Sequence, residues 1–169
     1  MKFFHLSDLH IGLKLMNRDL REDQEYILSE VVEAAAQEKP DAIVIAGDIY
    51  DKAVPSAEAV EIFDRFLGEL TEAVPSAVIM MISGNHDSAP RVDCFRKVLS
   101  RQKVHMIGQP PRTEDESIEK VTLEDKYGNN LSYNETLHRL IERENINQDE
   151  RNVLSAISFI CLLERKWKK

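Results

Sequence analysis

Three short apolar runs, each stopping at a loop rich in hard-oxygen and imidazole donors, constrain this 169-residue chain more than any other feature. Residues 2–6 lead into Asp8-Leu9-His10, residues 41–46 into Gly47-Asp48-Ile49-Tyr50-Asp51, and residues 77–82 into Gly84-Asn85-His86-Asp87. Continuous apolar runs bounded by turn residues fit buried strands of a parallel sheet. In open α/β sheets, ligands collect in the crevice beyond the carboxyl ends of the strands. Three separate loops are therefore expected to meet at one point in an α/β fold.

The intervening segments fit crossover helices. Over residues 19–39, Tyr26, Ile27, Val31 and Ala34 recur at helical spacing and are expected to line the buried side. Ser56, after Pro55, is a natural N-cap for a helix over residues 57–73, with Val60, Phe63, Phe66, Leu67 and Leu70 on its apolar side. A helix over residues 91–100, a strand over 104–107 and an acidic loop over 110–119 are expected next. Thr122 to Gly128 fits a strand entering a hairpin, and Ser132-Tyr-Asn-Glu135 fits a capping box opening a helix to Glu144.

The donor types suit one chemistry in particular. Hydrolysing a phosphodiester requires an attacking water made nucleophilic near neutral pH and a phosphoryl group held in line; two cations about 3.5–4 Å apart do both. Carboxylates, an amide oxygen and imidazoles suit Mn²⁺, Fe or Zn²⁺, whereas a structural zinc site calls for thiolates, and these motifs contain no cysteine. Each piece also has an ordinary reading: Asp-x-His is common, and Gly47-Asp48 and Gly84-Asn85 are turn formers in their own right. Their recurrence at three strand ends favours a metal site.

Residues 1–108 resemble the calcineurin-like metallophosphoesterases, and within them the SbcD family, the nuclease component of SbcCD complexes. The narrower likeness rests on His5-Leu-Ser-Asp-Leu-His-Ile-Gly12, Glu22-Asp-Gln24, Gly47-Asp-Ile-Tyr-Asp51 with Ala53-Val-Pro-Ser56, and Gly84-Asn-His-Asp-Ser88. The resemblance implies the N-terminal part of a four-layer α/β/β/α sandwich holding two divalent metal ions, with Mn²⁺ expected. Asp8 and His10 would hold the first ion, Asp48 would bridge both and Asn85 would bind the second. His86 would be the catalytic histidine, acting on the departing oxygen. Asp51 and Asp87 would fix loops or orient ligating imidazoles, as outer carboxylates do. His5 is expected to be packed or supporting, and His105 and His138 to lie at the surface. The same resemblance implies DNA as substrate, exonuclease and endonuclease activity in DNA repair, recombination and replication, an ATPase partner subunit (SbcC) and a homodimer.

The chain also departs from that pattern. The family's later histidines, one after a further strand and a Gly-His-x-His pair beyond it, do not appear, since only His105 and His138 follow His86. Residues 153–169 resemble nothing in the family, although Asn147 to Val153 resembles the lead-in to its next metal-binding strand. Permitted codons for Ser155 onward, read one base earlier, can give Val-Ser-His-Gln-Phe-Tyr-Leu-Pro-Ala-Gly, which resembles that strand's motif. The expectation is therefore residues 1–128 as the N-terminal part of the domain, 129–153 as a helix and lead-in from a later part, and 154–169 as an out-of-frame tail. A short internal deletion near Gly128 is also expected, and the chain as it stands is expected to be inactive. A small-substrate phosphodiesterase or phosphatase and a non-enzymatic fragment are the alternatives.

Composition narrows the class further. A content of 43% hydrophobic and 31% charged residues is that of an ordinary globular protein, and Cys94 and Cys161 make no disulfide framework, which fits a reducing cytoplasm. The net charge of −8 excludes a broad basic grip on DNA. Arg18, Arg21, Lys52 and Arg91 flank the motif loops and are candidate phosphate contacts. No signal peptide is expected before the first strand. No membrane span is expected either, because the apolar stretch over residues 153–163 falls short of the roughly 20 residues one needs.

Overall fold

The structure is a computed structural model, and it describes residues 2–109, 121–124 and 130–132. The chain divides into two compact units, Met1–Pro110 and Pro111–Lys169. The first is built on a four-stranded, all-parallel sheet in the order β1-β4-β5-β6, from β1 (Phe3–Leu6), β4 (Ala42–Ala46), β5 (Val78–Ile82) and β6 (Val104–Ile107). Between β1 and β4 run a hairpin, β2 (Lys14–Leu15) with β3 (Arg18–Asp19), and helix α1 (Arg21–Glu38); α2 (Ala57–Ala73) joins β4 to β5. The α/β class expected from the apolar runs is the class observed.

Register shows how the core is made. Phe4 pairs with Ile43 and Ile43 with Ile79, then Val104; Leu6 pairs with Ile45 and Ile45 with Met81, then Met106. Side chains in register across a sheet share one face, and these rows pack against Leu28 and Ala35 of α1 and Ile62, Phe63, Phe66 and Leu70 of α2 in one apolar cluster. The alternate residues Phe3, His5, Val44, Met80, Ile82, His105 and Ile107 are half-buried on the other face.

Ser56 caps α2 as expected, its hydroxyl accepting from the Ala59 amide at 3.3 Å. The apolar side is rotated slightly from the expected one, with Ala59 and Ile62 buried and Val60 43% exposed. The rotation of α1 is larger. Tyr26 and Ile27 face solvent, and the buried line is Leu28 and Ala35 with Val31 and Val32 beside it. Lys39, with φ +48°, ends α1 in a left-handed conformation, the usual way to stop a helix.

The helix expected over residues 91–100 is broken. It forms two single turns, α3 (Ala89–Val92) and α4 (Arg96–Leu99), followed by a short 3-10 turn (Ser100–Gln102). Phe95, with φ +63°, lies between them, and a left-handed residue cannot continue a right-handed helix. His105 is also corrected: it is a half-buried member of β6 with a buried Nδ1 that has no partner among the described residues.

In the second unit, β7 (Thr122–Glu124) and β8 (Asn130–Ser132) pair antiparallel, with Leu123 opposite Leu131. The strand expected to enter a hairpin therefore has a partner, formed by the residues read as leading directly into a helix. That helix lies, past Ser132, outside the described residues, as do the acidic loop, His138 and the tail.

Candidate metal centre

Each donor-bearing loop begins where its strand ends, and the three are joined by different means. The first two continue the parallel ladder beyond the strands. Backbone amides of Asp8, His10 and Ile11 donate to the carbonyls of Gly47, Asp48 and Ile49 at 3.2, 2.9 and 3.0 Å, and Asp51 N returns to the Ile11 carbonyl at 3.2 Å. The second and third are joined by side chains. Asp87 accepts from the amides of Ile49 (3.0 Å), Tyr50 (2.9 Å) and Gly84 (2.8 Å), and Asp48 Oδ1 accepts from His86 N at 2.8 Å. Asp87 thus pins the third loop to the second.

Close backbone approach makes this possible. A Cβ on Gly84 would fall inside contact distance of the Asp48 amide nitrogen and carboxylate, at 2.6 Å from its Cγ. Only glycine fits there. Asp8 (φ +55°), His10 (φ +43°) and Asp48 (φ +47°) all take left-handed backbone conformations. For residues other than glycine such conformations cost of order 1–3 kcal/mol and persist where surroundings over-determine them, often at functional sites.

The outcome is a cluster around His10. Its Nε2 lies 3.9 Å from Asp8 Oδ1 and 3.9 Å from Asp48 Oδ2, and its Nδ1 lies 3.8 Å from Asp51 Oδ1. These are too long for hydrogen bonds. Ligand atoms each about 2.1 Å from a shared cation can stand up to about 4.2 Å apart, so Asp8, His10 and Asp48, whose donor atoms lie within 4.8 Å of one another, come close to that span. Asp48 is buried, with no lysine or arginine against it among the described residues. Buried charges are normally paired or bound to metal.

The Nδ1 of His10, buried without a hydrogen-bond partner among the described residues, fits the same reading. A histidine bound to metal through one nitrogen normally presents the other N–H to a carboxylate, and the Asp51 carboxylate is the group facing it. Asp51 also reaches His86, whose Nδ1 lies 2.9 Å from its carbonyl oxygen. A carbonyl only accepts, so that nitrogen carries the proton and Nε2 is left for other partners. This hydrogen bond, with the nearby carboxylates of Asp48, Asp51 and Asp87, raises the His86 pKa above its ordinary value against a smaller opposing effect of desolvation. The His10 and His86 rings meet edge to face, 4.8 Å between centroids.

Of the residues expected at the site, Asp8, His10, Asp48, Asp51, His86 and Asp87 are brought together. Asn85 is exposed in the third loop between Gly84 and His86. His5 lies in β1 on the half-buried sheet face, its Nε2 buried without a partner among the described residues. Arg21 is engaged by Asp19, at 2.9 Å through Nε and 2.8 Å through a terminal nitrogen; Arg18, Lys52 and Arg91 are exposed. One contributor had only a motif around it and no stated role: Gln24 of α1 bonds to the backbone of the first loop. Its distance in sequence from that loop hides the pairing.

Comparison with known proteins agrees with the geometry. The SbcD component of nuclease SbcCD from Staphylococcus saprophyticus is 40% identical over 106 residues, which cover 63% of this chain and 27% of the relative. The chain therefore matches about a quarter of the length of that curated relative. The family model for calcineurin-like phosphoesterases matches residues 1–160, taking in all three loops. The chain belongs to the calcineurin-like phosphoesterase family.

Proposed function

We propose that this chain carries the first three ligand loops of a divalent-metal phosphodiesterase centre that acts on DNA. The observation that carries the reading is the convergence of Asp8, His10 and Asp48 on one point, with His86 directly beside it. In this reading Asp8 and His10 would hold one cation, Asp48 would serve both and Asn85 would hold the second; oxygen and imidazole donors suit Mn²⁺. When bound, the cations neutralise phosphate charge and make a water nucleophilic. His86, its Nδ1–H fixed on the Asp51 carbonyl, offers Nε2 to the departing oxygen as a proton donor.

These side chains fall short of two full coordination shells, so the remaining donors come from outside the described residues or from parts of the protein that this chain does not span. Without them the chain itself hydrolyses DNA poorly. DNA, rather than a small phosphodiester, is favoured by the match to a component of a nuclease; an ATPase partner of the SbcC kind and a second copy of the chain are the proposed partners, with roles in DNA repair, recombination and replication. Cys94 is an exposed free thiol, which supports a reducing cytoplasmic setting. No helix of the described residues is long and apolar enough to cross a membrane.

Calorimetric titration of the full chain with Mn²⁺ tests the centre: binding is expected, and Asp48→Ala should abolish it. Equal binding by both would overturn the assignment. In a longer protein that completes the donor set, His86→Ala should slow cleavage of linear double-stranded DNA by about 10²–10⁴-fold while keeping its metals, and Asp48→Ala should lose both. Faster turnover of a small phosphodiester than of DNA would favour the small-substrate class instead.

A further inference from the structure

The loop carrying Asp8 and His10 needs an outer support. Asp8, His10 and Gly12 (φ +89°) are all left-handed, so regular structure cannot satisfy all of its carbonyls and amides. Its inner side is tied to the second ligand loop by the backbone ladder. From α1, Gln24 reaches back to the other side. Its Oε1 accepts from the Gly12 amide at 2.9 Å, and its Nε2 donates to the carbonyls of His10 at 2.8 Å and Leu9 at 3.3 Å.

We infer that Gln24 is a positioning residue of the metal centre, a clamp that fixes the Leu9–Gly12 backbone and through it the aim of the His10 imidazole. The inference rests on the metal-binding reading above. The chemistry is specific to a primary amide of this length. One end must accept and the other must donate twice, which fixes which end is oxygen. Glutamate has the same shape but only accepts, so it would keep the Gly12 bond and set an anionic oxygen against two carbonyls. Asparagine is a methylene too short. Leucine is of similar size and leaves the three backbone groups without this partner.

The anchor itself is rigid. Gln24 lies in the first turn and a half of α1, its own amide bonded to the Leu20 carbonyl at 2.9 Å, and Leu28, one turn further on, is buried in the core cluster. The clamp therefore refers the ligand loop to the packed helix layer. Supporting groups of this kind typically change metal affinity by about 10–100-fold when altered.

The test uses the full chain, with Mn²⁺ affinity by calorimetry and amide exchange of Gly12 by NMR in metal-free protein. Gln24→Glu is expected to weaken Mn²⁺ binding about 10–100-fold while Gly12 stays protected. Gln24→Leu is expected to weaken binding as much and to speed Gly12 exchange about tenfold, the loss of one hydrogen bond. Leu70→Ala, a core change on α2 away from the clamp, should lower the melting temperature yet keep wild-type affinity where it is folded. If Gln24→Leu does not fold, Gln24→Glu decides. Wild-type affinity in Gln24→Glu overturns the clamp, as does a Leu70→Ala loss of affinity equal to that of Gln24→Glu. A wild-type chain that binds no Mn²⁺ overturns the metal reading itself and this role with it.

Discussion

Removing the Asp87 carboxylate should show how much of the site's architecture rests on one side chain. It takes three backbone amides from two loops, Ile49 and Gly84 on Oδ2 and Tyr50 on Oδ1. Hydrogen bonds to a charged group contribute about 1.5–3 kcal/mol each. The site is half-buried, so the low end applies, and water entering the vacated space recovers part of the loss. Asp87→Ala is therefore expected to cost about 3 kcal/mol, a large share of the roughly 5–15 kcal/mol that holds a typical domain together. Asp87→Asn can keep the two bonds on Oδ2 but must set an NH₂ against the Tyr50 amide, for a loss of about 2 kcal/mol. Urea denaturation of the metal-free chain measures both as midpoint shifts at constant slope. Mn²⁺ affinity should fall in parallel, since the pinned loops carry Asp48 and Asn85. Losses below about 0.5 kcal/mol in both variants, the range of neutral surface changes, would refute the argument.

Gly84→Ala would drive a Cβ into the Asp48 amide nitrogen and carboxylate, both nearer than Cγ at 2.6 Å, where ordinary contact starts at 3.4 Å, so the displacement exceeds about 0.8 Å. A stability loss of about 1–3 kcal/mol with Mn²⁺ binding abolished is expected, and thermal melting with calorimetry checks both. On α1, Leu28→Ala should cost about 2–5 kcal/mol, whereas Ile27→Ala, one residue away and 58% exposed, should stay within about 0.5 kcal/mol. The reverse order in denaturant would mean that the helix is rotated from its position in the structure.

Much of the fold was legible in the sequence because its signals are local. Strands β1, β4, β5 and β6 announce themselves as apolar runs, and the Ser56 cap of α2 is a neighbour effect. The donors follow directly on the strand ends, so their convergence followed from a parallel sheet alone. The break at Phe95 was not legible, because a left-handed residue of this type leaves no compositional mark. Nor was the pairing of Asn130–Ser132 with β7, where three residues are too few to show a period.

The rotation of α1 shows where local information ends. Its apolar residues, from Tyr26 to Val32, spread over roughly 240° of the helix circumference at about 100° per residue, so no single stripe is marked. Packing against Ile43, Ile45 and α2 selects Leu28 and Ala35 and leaves Tyr26 and Ile27 in water. The sequence by itself determined the residue types at the strand ends, and with them the chemistry open to the site. Tertiary structure decided which polar groups hold that site in shape: Asp87 acts on amides 37 and 38 residues away, Asp51 turns its carbonyl to a histidine 35 residues on, and Gln24 reaches back 12 to 15 residues. Such pairings are set by sheet register and helix position, which exist only once the core has packed.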